Sequence, residues 1–232
     1  MATQNRDELV YQSVKRDILD LQLRPGEIIS ENELCERFQV SRTPVRNALK
    51  ILEAQEFLSY LPYKGFYIPL LDLQNIKQMI YMRIAVETMV IDDFVRLRTP
   101  LLMEDILHQI RRQDVMIRES DFSKDHFYRT DAALHAIWFS ATRKSYLWEV
   151  LQSEQLHYTR FRMLDFASET DFPRIIREHY ELYELIQKGD TAALNEKLKK
   201  HLSFAMIRMR DIINIDYKDY FEPDDSPDKF EI

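Results

Sequence analysis

Ser41-Arg42-Thr43-Pro44-Val45-Arg46-Asn47-Ala48-Leu49-Lys50-Ile51-Leu52 is the stretch on which the reading of this chain turns. Val45, Ala48, Leu49 and Leu52 recur at helical spacing and form one apolar stripe. Ser41 suits an N-cap, because its hydroxyl can accept a bond from an unpaired first-turn amide. Pro44 is tolerated in that turn, where amides have no partner inside the helix. Arg42, Thr43 and Arg46 lie at the helix start and off the stripe, with Asn47 and Lys50 further along. Guanidinium and hydroxyl groups crowded at the N-terminal end of a short helix suit the DNA major groove. A solvated helix face would carry similar residues, so the neighbouring sequence has to decide.

Upstream, Leu9, Val10, Val14, Ile18 and Leu21 predict a first helix over 8–20, ended by the turn pair Pro25-Gly26. Ser30-Glu31-Asn32-Glu33 is a capping-box pattern that opens a second helix through about Phe38. Gln39-Val40 then forms the tight turn into the Arg42 helix. Downstream, Phe57 to Leu61 and Phe66 to Ile68 are β-prone runs around Pro62-Tyr63-Lys64-Gly65, which reads as a hairpin. Helix, helix, turn, helix and hairpin make a winged helix-turn-helix. Lys64 and Gly65 at its tip are placed to approach a phosphate or the minor groove.

Pro69 and Asp72 mark a boundary. Beyond them the pattern predicts helices over 72–98, 100–119, 124–141, 144–166, 171–188 and 191–213, joined by short connections into an antiparallel bundle. The fold class expected is therefore mostly α, a winged helix-turn-helix over 1–70 and an all-helical domain over 71–215. The acidic, proline-containing stretch from 216 to 232 is expected to be partly disordered.

With 232 residues the chain can bury a real core, and three glycines fit a helical protein. A single cysteine, Cys35, excludes an internal disulfide framework and fits a reducing compartment. Neither a signal-peptide core nor a membrane-length apolar run is present, so a cytoplasmic protein without membrane partners is expected. A net charge of −7 argues against nonspecific polyanion binding by the whole molecule, though not against a local basic surface.

The helical half carries a second constellation. Asp131 and His135 stand at i and i+4, on one face of a predicted helix. His179 and His201 lie at similar distances either side of the Gly189-Asp190 hinge, so they can face each other across a helical hairpin. One carboxylate and three imidazoles suit a divalent metal, with zinc, nickel, manganese or iron(II) all compatible. A buried histidine is more often a hydrogen-bonded core residue than a ligand, but Asp131 beside His135 weakens that alternative. Glu154-Gln155-Leu156-His157 resembles half of a di-iron site but lacks its second copy, and His108 and His126 have no evident partner. Arg83 leads as an anion-binding side chain. It can pair with Glu87 at i+4 or grip a carboxylate, and both options stay open. Arg160 and Arg162 are weaker candidates.

Both halves resemble one family, the GntR superfamily of bacterial transcription regulators, in its FadR-like subgroup with an FCD effector domain. The first half carries Leu23-Arg24-Pro25-Gly26, Glu31-Asn32-Glu33-Leu34, Val40 to Arg46, Ala48-Leu49, Leu52 and Gly65. The second carries Arg83 with Glu87, Asp131-x-x-x-His135, Glu178-His179, Gly189-Asp190 and His201-Leu202. The resemblance covers roughly residues 8–213. It implies DNA contacts from Asn32, Arg42, Thr43, Pro44, Arg46 and the wing at Gly65. It also implies metal ligation by Asp131, His135, His179 and His201, with a small carboxylate effector beside the metal near Arg83. Family members often have Arg where Asn32 stands, and Gly-Asn where this chain has Arg143-Lys144.

The function expected is a non-enzymatic, homodimeric regulator, most often a repressor in this family, on a near-palindromic double-stranded DNA operator. Its cofactor would be a divalent metal, zinc first, with nickel, manganese or iron as alternatives. The rival readings are a metal-dependent enzyme domain fused to a DNA-binding head, and a regulator whose metal is purely structural.

Overall fold

The computed structural model describes residues 6–153, 156–168, 171–224, 226 and 230. Among them are ten α-helices and one small sheet, divided between two compact units. Of the described residues, the first unit holds 6–74, 156–164, 211–224 and 226, and the second 75–153, 165–168, 171–210 and 230.

The first unit is a winged helix-turn-helix. Helix α1 (Arg6–Leu19) presents Val10, Val14 and Ile18, which are fully buried with Val45, Ala48, Leu49 and Leu52 of α3 (Arg42–Ala54). Between them, α2 (Glu31–Phe38) begins with a complete capping box. Ser30 Oγ accepts from the Glu33 amide, and the Glu33 carboxylate accepts from the Ser30 amide. It ends at Gln39, whose left-handed φ of 52° redirects the chain into α3. Ser41 occupies the N-cap of α3, but its hydroxyl makes no capping bond, contrary to the sequence expectation.

The wing has three strands, where the sequence shows two. Ile28–Ile29 (β1) pairs antiparallel with Gly65–Tyr67 (β3), which pairs in turn with Ser59–Leu61 (β2). Two residues give too short a run for alternation to register, so β1 is visible only through its partner. Gly65 has φ +114°, and a Cβ there would stand 2.7 Å from the Ile29 carbonyl oxygen. The β1–β3 pairing therefore requires glycine at this position.

Two further segments complete this unit. Arg160 Nη2 donates to the Pro69 carbonyl at 2.8 Å, and the Asp72 amide donates to His157 Nδ1 at 3.1 Å. Both side chains come from α8 (Leu156–Ala167). Leu71 bridges in parallel to Phe221, with Leu71 N to Tyr220 O at 2.8 Å and Glu222 N to Leu71 O at 2.9 Å. A 3-10 turn over Lys218–Tyr220 precedes that bridge, in the tail for which partial disorder is the sequence expectation.

The second unit is helical. It holds α4 (Leu73–Leu97) from Asn75 onward, α5 (Pro100–Met116), α6 (Lys124–Ala141), α7 (Ser145–Ser153), α9 (Phe172–Lys188) and most of α10 (Thr191–Ile215). The single helix expected over 144–166 is described as α7 and α8, with 154 and 155 outside the described residues. Helix starts are set by side chains: Thr99 accepts from the Leu102 amide, Ser123 from His126 and Asp171 from Arg174. Gly189 ends α9 in the left-handed region. Helix α5 packs on α6 and α9, which carries the metal-ligand candidates of those helices into one interior.

Candidate metal centre and nucleic-acid interface

The four residues singled out for metal chemistry converge. Asp131 and His135 come from adjacent turns of α6, His179 from α9 and His201 from α10. One donor atom from each lies within 4.8 Å of the other three, and all four residues are buried. His179 Nε2 stands 3.3 Å from both His201 Nε2 and Asp131 Oδ1. Donors sharing one ion at about 2.0–2.1 Å each are separated by about 3–4 Å, so the spacing fits.

The imidazole partners explain why these atoms face one another. His135 Nδ1 lies 2.7 Å from Glu87 Oε2, His201 Nδ1 2.9 Å from Glu178 Oε2, and His179 Nδ1 2.8 Å from Gln113 Oε1. Each partner atom is an acceptor, so each Nδ1 carries the proton and each Nε2 turns a lone pair inward. His135 Nε2 is buried with no hydrogen-bond partner. Two inward lone pairs and a carboxylate in close contact repel unless a cation lies between them. The residues present therefore fit a divalent ion.

Charges around the cluster are matched. Burial alone would raise the Glu87 carboxyl, but the Arg83 guanidinium and His135 outweigh it and hold it at about 2. Glu178 is opposed by burial in the same way, and His201 and Arg174 bring it to about 2. Burial pushes His179 down and takes His201 to about 4, against the pull of Asp131 and Glu178 respectively. Neutral imidazole is the form that ligates.

Arg83, read in sequence as either an ion-pair partner or a carboxylate grip, makes the ion pair. Its Nε and Nη2 both lie 2.7 Å from Glu87 Oε1, so the i+4 ion pair is formed, and both residues are buried. Glu178 makes the corresponding pair with Arg174 at 3.1 Å. The outer residues are less legible in sequence. Gln113 continues the buried stripe of Ile106 and Ile110 on α5, and an amide in an apolar stripe is the one signal it offers. Glu178 is adjacent to His179 yet serves His201. Of the other candidates, Arg160 lies in the first unit on the Pro69 carbonyl, where burial lowers its guanidinium to about 10. His108 and His126 are exposed. The Glu154 half of the Glu-x-x-His pair lies outside the described residues, while His157 holds the Asp72 amide.

Helix α3 presents an exposed edge of Arg42, Thr43 and Arg46, with Asn32 exposed on α2. Arg42 Nη2 donates to Asn32 Oδ1 at 3.1 Å, and Arg46 Nε lies 2.9 Å from both Glu31 carboxylate oxygens. Pro44, expected among the DNA contacts, is buried, and its ring fixes the geometry of the helix start. At the wing, Lys64 is exposed and Gly65 half-buried. Tyr63, in the same turn, is fully exposed at the tip with φ 66°.

Residues 7–68 match the family described as "Bacterial regulatory proteins, gntR family", and residues 78–204 match the FCD domain. Among curated relatives, the HTH-type transcriptional repressor RspR of Escherichia coli K12 is 24% identical over 200 residues, covering 86% of this chain and 87% of its own. The gluconate operon transcriptional repressor of Bacillus subtilis is 27% identical over 197 residues, covering 82% and 79%. The solved structure of E. coli McbR/YncC superposes with a TM-score of 0.67 at 16% identity, covering 92% of this chain and all of the other. No described helix is long and apolar enough to cross a membrane. With both halves matched in order, this chain belongs to the GntR family of bacterial regulatory proteins, a DNA-binding transcription regulator whose helical half is an FCD domain.

Proposed function

We propose that this protein is a ligand-controlled repressor that works as a cytoplasmic homodimer on a near-palindromic operator. Its FCD domain holds a divalent metal and answers to a small organic acid. The observation that carries the reading is the inward convergence of three Nε2 atoms and one carboxylate oxygen, each imidazole fixed by a partner on Nδ1. Asp131, His135, His179 and His201 would hold the ion, and their nitrogen and oxygen donors favour zinc, with nickel, manganese or iron as alternatives. The bound ion supplies a positive charge and a coordination position to which a carboxylate can add. Two symmetry-related reading helices would present Asn32, Arg42, Thr43 and Arg46 to half-sites about one helical turn apart, with Lys64 and Gly65 at the wing. The curated relatives are transcription regulators, which favours this reading over an enzyme joined to a DNA-binding head.

The test uses full-length protein purified with its metal, with operator fragments selected from random DNA. Small carboxylates are titrated against operator release for the wild type and His179→Ala. The expected result is release by at least one carboxylate from the wild type and a lost response in the variant. An unchanged response in His179→Ala would remove the metal from the switch. The near-complete burial of all four ligand candidates favours a second reading, a structural metal. Chelation that lowers thermal stability without altering the carboxylate response would establish it.

A further inference from the structure

Glu87 joins Arg83 to His135. Its Oε1 takes both Nε and Nη2 of Arg83, and its Oε2 takes His135 Nδ1. The Glu87 side chain has no exposed surface and that of Arg83 only 6%, so solvent screens neither contact. How strongly a carboxylate accepts from an imidazole N–H depends on how much of its charge is already neutralised. With Arg83 seated, Glu87 is a moderate acceptor. With Arg83 drawn away, the full charge falls on the Nδ1–H of His135 and makes its Nε2 a stronger donor.

We propose that Glu87 is a positioning residue that passes the engagement of Arg83 on to His135, so that loosening the Arg83–Glu87 pair tightens metal binding. The proposal rests on the metal reading given above. By linkage, whatever competes for Arg83, a carboxylate ligand above all, would then bind more tightly to the metal-loaded protein by the same factor that it tightens the metal. The Arg174–Glu178–His201 chain repeats the connectivity, but the Arg174 side chain is 42% exposed and stacks on Phe204. Screening there leaves the buried Arg83 chain as the sensitive one.

A double-mutant cycle with the metal alone tests this. Co(II) affinity is measured on the full-length chain for wild type, Arg83→Gln, Glu87→Gln and the double variant, using a competing chromophoric chelator. The cobalt d–d spectrum reports the ligand set. Glu87→Gln is expected to weaken Co(II) by about 10- to 100-fold. Arg83→Gln is expected to tighten it by about 3-fold or more, and that gain should vanish in the Glu87→Gln background. Arg83→Gln leaves a buried carboxylate without its cation. If it fails to fold, Arg83→Lys replaces it in the same cycle, keeping the charge while giving up the two-point grip, with the same sign expected. Additive effects, or an arginine substitution that leaves Co(II) affinity unchanged, would overturn the relay while sparing the metal site. A wild-type protein that takes up no Co(II) would overturn both.

Discussion

The backbone amide of Asp72 donates to Nδ1 of His157 at 3.1 Å across 85 positions of sequence, tying the segment after the wing to helix α8. An imidazole that accepts there must be unprotonated on Nδ1. Burial and the charge of Arg160 lower its pKa from 6.5, outweighing the opposite pull of Asp72, Glu222 and Glu56. The unfolded chain therefore takes up this proton first. The contribution to stability is intact above about pH 6.5 and is lost as pH falls below it toward the folded value. Unfolding of wild type and His157→Gln followed from pH 7.5 to 5 should diverge, the wild type losing stability more steeply. His179 and His201 are common to both proteins, so parallel curves would contradict the assignment.

Zinc should stabilise the folded chain measurably. At a free concentration of about 100 times Kd, a ligand that binds only the folded state adds about 2.7 kcal/mol. For a chain of this size that corresponds to a rise in Tm of about 5–10 °C. His179→Ala should abolish the rise. Gln113→Leu removes the acceptor on His179 Nδ1 and should leave the site present, with affinity lower by about 10- to 100-fold. Equal zinc affinity in Gln113→Leu and wild type would show that this hydrogen bond does not set the imidazole.

Arg46 is paired with Glu31 on the exposed face of the helix-turn-helix, 57% of its side chain open to solvent. A surface pair of this kind contributes little to folding. Arg46→Ala should therefore leave Tm nearly unchanged while weakening operator binding by about 1–3 kcal/mol if the guanidinium reads a base. If it meets a phosphate instead, the loss is uniform across sequences and the salt dependence falls by about one counterion. Anisotropy titrations at several salt concentrations separate the two outcomes, and an unchanged affinity would take Arg46 out of the interface.

Gly65→Ala tests the wing. Its positive φ and the nearby Ile29 carbonyl both oppose a Cβ, and strained non-glycine backbone costs about 1–3 kcal/mol. Denaturant unfolding should show a loss at or above that range, because the clash with β1 adds to the strain. A neutral substitution would mean that the β1–β3 pairing yields at little cost.

Much of this architecture is legible in sequence where a short-range rule operates. The capping box of Ser30 and Glu33, the tight turn at Gln39-Val40 and the Gly189 helix end follow from local chemistry. The meeting of His179 and His201 follows from counting either side of a hinge. Features set by distant partners are not legible. Ile28–Ile29 becomes a strand only because β3 lies beside it, and Ser41 looks like a capping residue yet makes no capping bond. Pro44 lies between the exposed Thr43 and Arg46 in sequence, but its ring is buried in space. Gln113 and Glu178 acquire their roles from imidazoles on other helices, a relationship that no periodicity encodes. Arg83 shows two options in sequence, and in the folded chain the pair with Glu87 is formed.

The bridge from Leu71 to Phe221, reinforced by Gln74 on Asp224 150 positions away, bears on how the protein is made. A ribosome that has synthesised the wing has not yet supplied α8 or the tail, so the DNA-reading unit emerges with its last backbone pairings unmet. Those of Leu71 can close only after translation has passed Glu222, a loop closure of high contact order and correspondingly slow. A fragment cut after Gln74 would keep the Val45–Leu52 core but lack this clasp. It should be the less stable protein, even with Arg42, Thr43 and Arg46 in place.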